Sequence, residues 1–150
     1  MKMLALDIGE KRVGIASGDT DAGIAMPVSV LSTSDVLSNS RGFQHLIQEQ
    51  EPELLLAGLP LSLSGQENSQ AETVRKFAEN IAEMLNLPLV YQDERLSSVE
   101  AKRYFREAGY TERQMRGRID MLAASLTLQA YLDSQQLNGL ETPKGEYFPQ

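Results

Sequence analysis

Three places in this 150-residue chain put carboxylates where apolar sequence would otherwise continue. Asp7 ends an apolar run in LALDIGEKRVGIASGD, Asp93 and Glu94 close the segment YQDE, and Asp120 interrupts RIDMLAAS. A carboxylate taken out of water without a partner costs several kcal/mol, so each needs a cation, a hydrogen-bonding turn or a proton. Brought together, such groups make an all-oxygen site of the kind that holds magnesium or manganese. Two ions about 4 Å apart in such a site can activate a water and stabilise the leaving oxygen of a phosphodiester. Each acid also has a plainer use. Asp7 could accept amide hydrogen bonds from the Gly9 to Arg12 turn. Asp120 could pair with Arg116 or Arg118, or sit at a helix N-terminus for about 0.3–1 kcal/mol.

Other chemistries are poorly supplied. The chain has no cysteine, which removes disulfides, thiolate zinc sites and cysteine nucleophiles, and fits a reducing compartment. Its single histidine, His45, lies among polar residues of an expected helix and reads as an exposed side chain. The formal charge of −7 repels nucleic acid on average. The distribution is uneven, however. Arg95, Lys102, Arg103, Arg106, Arg113, Arg116 and Arg118 face only Glu100, Glu107 and Glu112 in the same stretch, and Lys11 and Arg12 form a second basic group. Such a run suits a phosphate backbone, or simply a solvated helix face.

The elements that must position these residues alternate along the chain. Residues 2–8 and 12–17 read as strands around the turn at Gly9, and 24–31 as a third, with Pro27 marking an edge or irregular position. A helix ending near Glu51 follows, then the strand ELLLAGLP at 53–60. A long helix from about Glu67 to Asn86 has Ala71, Val74, Ala78, Ile81, Ala82 and Leu85 on one face. The strand PLVYQ, a helix starting at Ser97 or Ser98 with serine as N-cap, and a helix from about Arg118 to Ser134 complete the order β-β-β-α-β-α-β-α-α. Strand 2–8 is apolar on both faces and belongs mid-sheet, which leaves Asp7 at the C-terminal strand end where open α/β sheets bind ligands. Strand alternation puts Asp7 on the face of Met3 and Ala5. Ala123 and Ala124 permit the last helix to approach that face closely enough for Asp120 to look toward Asp7. The loop GLPLSLSG, residues 58–65, could lie beside the carboxylates and offer amides to a phosphate. The tail GLETPKGEYFPQ reads as extended and pinned by Tyr147 and Phe148.

Four segments in order, LALDIGEKRVGIASGD, GLPLSLSG, YQDERLSSVEAKR and IDMLAASLTLQAYL, resemble the motifs of the YqgF family, also called RuvX, the pre-16S rRNA nucleases of bacteria. The resemblance runs from residue 3 to about 133. It implies an α/β ribonuclease H-like fold, a mixed five-stranded sheet flanked by helices, related to RuvC-type Holliday junction resolvases. It also implies that Asp7, Glu94 and Asp120 are the catalytic and metal-binding acids, with Mg2+ or Mn2+ as cofactor. Lys11 and Arg12 match the basic pair of the first motif. Ser97-Ser98 stands in place of the family's usual threonine pair, and Gly18 where serine is common. The expected activity is metal-dependent phosphodiester hydrolysis in 5'-end processing of pre-16S rRNA, with resolution of branched DNA as the alternative.

Together these readings give a nuclease domain over residues 1–138, an extended tail over 139–150, and a cytoplasmic location. The expected partners are structured RNA and ribosomal precursor particles, with no membrane. Lys11, Arg12, Arg95, Lys102, Arg103, Arg106, Arg116 and Arg118 are the expected nucleic-acid contacts. Whether Asp93 or Glu94 points into the site is open at this stage. The first motif also looks like the phosphate-binding turn of actin-like ATPases and sugar kinases, but those enzymes clamp nucleotide between two such domains and this chain has room for one. A binding module that has lost catalysis is a third reading, opposed by the three retained acids. Uptake of manganese, with a gain in thermal stability, separates a nuclease site from a purely basic nucleic-acid binder.

Overall fold

The computed structural model describes residues 1–62, 64–95, 97–137 and 146–150, with the backbone alone for Ser97, Ser98 and Leu137. Five strands form one mixed sheet: β1 (Lys2–Ile8), β2 (Arg12–Asp19), β3 (Ala25–Ser32), β4 (Leu54–Leu59) and β5 (Leu89–Asp93), in the order β3-β2-β1-β4-β5. The first three make the expected antiparallel meander, and β1–β4 and β4–β5 pair in parallel. β1 is therefore central, and its residues Met3 to Leu6 are buried whichever face they point to. Pro27 lies on the edge strand β3, beside a register irregularity opposite Ile15 and Ala16. Proline lacks the donor that a central ladder needs, so an edge tolerates it.

Helices cover both faces. On one face Leu4, Leu6, Ile15 and Leu55 meet α1 (Thr33–Leu37), α2 (Arg41–Gln50) and α3 (Ser69–Leu85) through Val36, Phe43, Val74 and Ile81. A single helix ending near Glu51 was expected; Ser38, Asn39 and Ser40 divide it. Asn39 takes φ 52°, a left-handed conformation that ends α1, and the Ser40 side chain accepts from Phe43 N–H to start α2. His45 is exposed on α2, 2.9 Å from Glu49. α3 runs between an Asn68 N-cap and a left-handed Asn86, within a residue or two of its expected bounds.

On the other face Met3, Ala5, Leu54, Leu56 and Val90 pack against Ala124, Leu128 and Leu132 of the last helix, α6 (Ile119–Leu137). α6 lies between the sheet and α4 (Ser97–Glu107), which explains why it is apolar on much of its circumference. The short α5 (Glu112–Met115) escaped the sequence reading. It is one turn held by a capping box in which Thr111 and Gln114 bond each other's backbone N–H groups. The serine N-cap expected for α4, and residues 139–145 of the tail, lie outside the described residues. Residues 146–150 return to the β5 edge, where Tyr147 forms an antiparallel bridge with Leu89 and its hydroxyl donates to Glu83. Phe148 does not pin the tail as expected. It is 62 % exposed, because the alternation that turns Tyr147 onto the protein turns its neighbour out.

Candidate active site

The site is built around Asp7 and two glycines. Asp7 pairs with Gly14 across the antiparallel β1–β2 ladder; on its other side Leu6 pairs with Ala57, so Gly58 follows beside Asp7. Directly opposed residues point to one sheet face, so a side chain at either neighbour would occupy the space above the Asp7 carboxyl. At Gly14 that space holds the first turn of α6: a Cβ there would overlap the Asp120 carbonyl group and stand 2.7 Å from Met121 N. At Gly58 it holds Glu94, whose Oε2 a Cβ would overlap and whose Cβ and Cδ would lie 3.1 Å away. Each missing side chain thus admits one further acid. Ala123 and Ala124, buried against the sheet, supply the matching small surface on α6.

The open choice between Asp93 and Glu94 is decided by Arg95. Asp93 accepts from Arg95 N–H at 2.9 Å and from the guanidinium at 2.6 Å, so its carboxylate turns away with that arginine. Glu94, tied through its own N–H to the Leu59 carbonyl at 3.2 Å, turns the opposite way and shares a hydrogen bond with Asp7.

Two carboxyl groups at hydrogen-bond distance cannot both be ionised cheaply. Burial raises the Asp7 pKa; the hydrogen bond from Glu94 pulls it back, and the charge of Asp120 pushes it up again. Glu94 is pushed to about 9, first by burial, then by the charge of Asp7 and by donating the shared proton, with a further contribution from Asp93. Asp120 is bridged to Arg12, whose Nε stands 3.1 Å from Oδ2. The N–H is poorly aimed, and that oxygen remains buried without a hydrogen bond. The pairing with Arg116 or Arg118 that the sequence also allowed for Asp120 gives way to this contact with the first residue of β2. The β1–β2 turn closes through Gly9 N–H to the Arg12 carbonyl, so among the described residues its amides do not neutralise Asp7.

A consequence concerns pH. The metal-free folded protein keeps a proton on Glu94 that the unfolded chain releases near 4.5. Its stability is therefore expected to fall as pH rises from about 4.5 towards 9, at up to about 1.4 kcal/mol per unit for one proton. Urea midpoints measured across that window check it. A cation that displaces the proton should flatten the profile, and a profile flat without metal would mean Glu94 is ionised throughout.

Among the described residues no three acids or imidazoles stand close enough, as placed, to hold one ion together. The donor set nevertheless suits a hard divalent cation. It is all oxygen, it contains two carboxyls holding a proton that a cation can displace, and it includes the unsatisfied Asp120 Oδ2.

The profile of the RuvX family, described as a Holliday junction resolvase, matches residues 1–134. The chain belongs to the RuvX family. A Chloroflexus aurantiacus relative, provisionally named a pre-16S rRNA nuclease, is 38 % identical over 136 residues, covering 91 % of this chain and 89 % of its own. A Synechocystis protein of the same name is 40 % identical over 130 residues, with coverage of 87 % and 86 %. Two solved structures share the fold at 10 % identity. One is T. thermophilus RuvC in complex with a Holliday junction (TM-score 0.52, covering 91 % of this chain and 96 % of that one). The other is the fowlpox virus resolvase with its junction DNA (TM-score 0.51, 89 % and 98 %). The ribonuclease H-like architecture expected from the motifs of this RuvX chain is thereby borne out.

The basic residues divide into groups. Lys11 lies on the β1–β2 turn, Arg12 opens β2 against Asp120, and Arg118 stands two residues before Asp120. Lys102, Arg103 and Arg106 are exposed on α4, Arg106 lying 3.3 Å from Glu112, and Arg116 is exposed between α5 and α6. Arg95 is occupied with Asp93. The loop 58–65 serves the site less directly than its glycines and serines suggested. The amides of Leu61, Ser62, Gly65 and Gln66 are satisfied within the loop, leaving them unavailable to a phosphate. Its contribution is Gly58 near the end of β4.

Proposed function

We propose that this RuvX chain is a divalent-metal-dependent nuclease that hydrolyses phosphodiester bonds in the precursor of small-subunit rRNA. The observation that supports the reading is the hydrogen bond between the buried carboxyls of Asp7 and Glu94 at the strand ends, with the charge of Asp120 near enough to raise Asp7. Magnesium or manganese, held by oxygens of these three residues, would supply the charge that acidifies a water and stabilises the departing oxygen. Asp7 and Glu94 give up their proton on loading, so ion affinity rises with pH. Arg12 balances the charge of Asp120, and with Lys11 and Arg118 supplies positive charge for phosphates beside the acids. The relatives' name favours RNA, whereas the family description favours branched DNA.

Metal-dependent cleavage of a precursor leader RNA, set against a four-way DNA junction, tests the choice. Preferential cutting of the RNA is expected; cutting of the junction alone would transfer the activity to recombination. The exposed cations of α4 yield a separate prediction. Arg103→Gln combined with Arg106→Gln is expected to weaken RNA binding and to reduce the slope of log affinity against log salt by about 1.4, near 0.7 for each lost contact to a single strand. An unchanged slope would return both residues to a solvated helix face.

A further inference from the structure

On the α6 face of the sheet lies a groove of about 320 Å³ walled by Pro27 of the edge strand, Tyr104 and Phe105 of α4, Tyr110, and Arg118 and Met121 at the start of α6. We propose that this groove receives an unpaired nucleobase of the substrate strand, stacked on Tyr104. The inference rests on the nuclease reading above and adds to it a site for the base.

The groove is a consequence of how α4 ends. Gly109 takes φ +87°, and Gly109 and Tyr110 N–H donate to the Arg106 and Phe105 carbonyls. These are the two bonds of a Schellman motif, which characteristically brings the residue after the glycine back onto the last helical turn. Here that residue is Tyr110, whose ring meets Phe105 edge-on at 5.0 Å between centroids, while Tyr104 meets Phe105 at 5.8 Å. Phe105 is buried and serves as the foundation, leaving Tyr104 61 % exposed above it. An exposed aromatic backed by a buried ring, itself held by Tyr110, loses little freedom when a planar group settles on it.

The chemistry of the walls selects the occupant. Arg118 covers the Tyr110 ring at 5.4 Å, placing a guanidinium where the phosphate of a stacked nucleotide would need a counter-charge. Arg103 precedes Tyr104 and Arg116 precedes Arg118 by two residues; both are exposed. An apolar peptide would gain nothing from these cations, whereas a base joined to a phosphate uses ring and charge together. Met121 and Leu122 follow Asp120 on α6 but point to another side of the helix, so a strand with a base in the groove is held on the β3 and α4 side of α6, across the helix from Asp120. Such a pocket favours a substrate with an unpaired nucleotide over a continuous duplex.

Binding of a 12-nucleotide oligouridylate and of the same strand carrying one internal abasic position, measured in EDTA, tests the proposal. The parent should bind the intact strand more tightly. Tyr104→Ala should weaken binding of the intact strand by about 5- to 150-fold and remove the difference between the two strands. Tyr104→Phe should restore it. The chain has no tryptophan, so Tyr104→Trp introduces a single reporter whose emission should be quenched by the intact strand. Melting curves of the variants establish that they fold. A parent that binds both strands equally, or a Tyr104→Ala protein that still discriminates, would overturn the stacking site while leaving metal-dependent cleavage untouched. Failure of the parent to cut or bind any strand would remove the nuclease reading, and this inference with it.

Discussion

Asp7→Asn is expected to lower metal-dependent cleavage by about 10³-fold or more while the metal-free protein melts no lower than the parent. The two halves of that result follow from the same geometry. Asp7 and Glu94 are buried together and share one proton, and Asp120 adds a third negative group nearby. Asparagine keeps the shape and can donate its amide hydrogen to Glu94, so the repulsion disappears and no proton need be held. What disappears with it is one charged oxygen donor for a cation, and most of the thermal stabilisation that manganese gives the parent should disappear too. A carboxylate present only for structure predicts a different pattern: a loss of about 1–3 kcal/mol with and without metal, and activity falling only as folding does. Paired melting curves with and without manganese, together with a cleavage assay, separate the two. A well-folded Asp7→Asn protein cutting RNA at the parental rate would end the catalytic assignment.

Much of this site was legible before any coordinates. The burial of β1 on both faces follows from seven residues, KMLALDI, that leave no solvent face, and a central strand of that kind places Asp7 at the ligand end of the sheet. Ala123 and Ala124 announced that α6 would lie close. Their counterpart Gly14 carries no such signal inside its strand, because a glycine reports close approach only when the approaching backbone is known. The direction of Glu94 could not be read from alternation either. β5 ends at Asp93, and beyond a strand end the pleat no longer dictates facing; the local Asp93–Arg95 pairing does. α5 was too short to show periodicity, although the Thr111 and Gln114 spacing carried its capping box. The pairing of Arg12 with Asp120 and the aromatic cluster of α4 are products of tertiary packing between distant segments. No local signal encodes them.

The two glycines beside Asp7 are expected to fail in opposite ways when each gains a methyl group. In Gly14→Ala the new carbon meets backbone, the carbonyl of Asp120 and the amide of Met121, at the point where α6 packs on the sheet. Backbone at a helix start cannot rotate aside, so the first turn of α6 must lift, at a cost of about 1–3 kcal/mol or more. Cleavage should fall together with the melting temperature. In Gly58→Ala the three nearest atoms all belong to the Glu94 side chain, which can swing toward solvent. Stability should then change by less than about 1 kcal/mol, and cleavage should still fall about 10²-fold or more, since the carboxyl has left Asp7. The pH profile distinguishes displacement of Glu94 from any general loosening. Once in water, Glu94 returns towards the ordinary carboxylate value of 4.5, and its part of the decline in metal-free stability up to pH of about 9 should flatten in Gly58→Ala, leaving the part due to buried Asp7, but persist in Gly14→Ala. Parental cleavage by Gly58→Ala with a flattened profile would mean that Glu94 can leave the site without loss, and the chemistry would then rest on Asp7 and Asp120 alone.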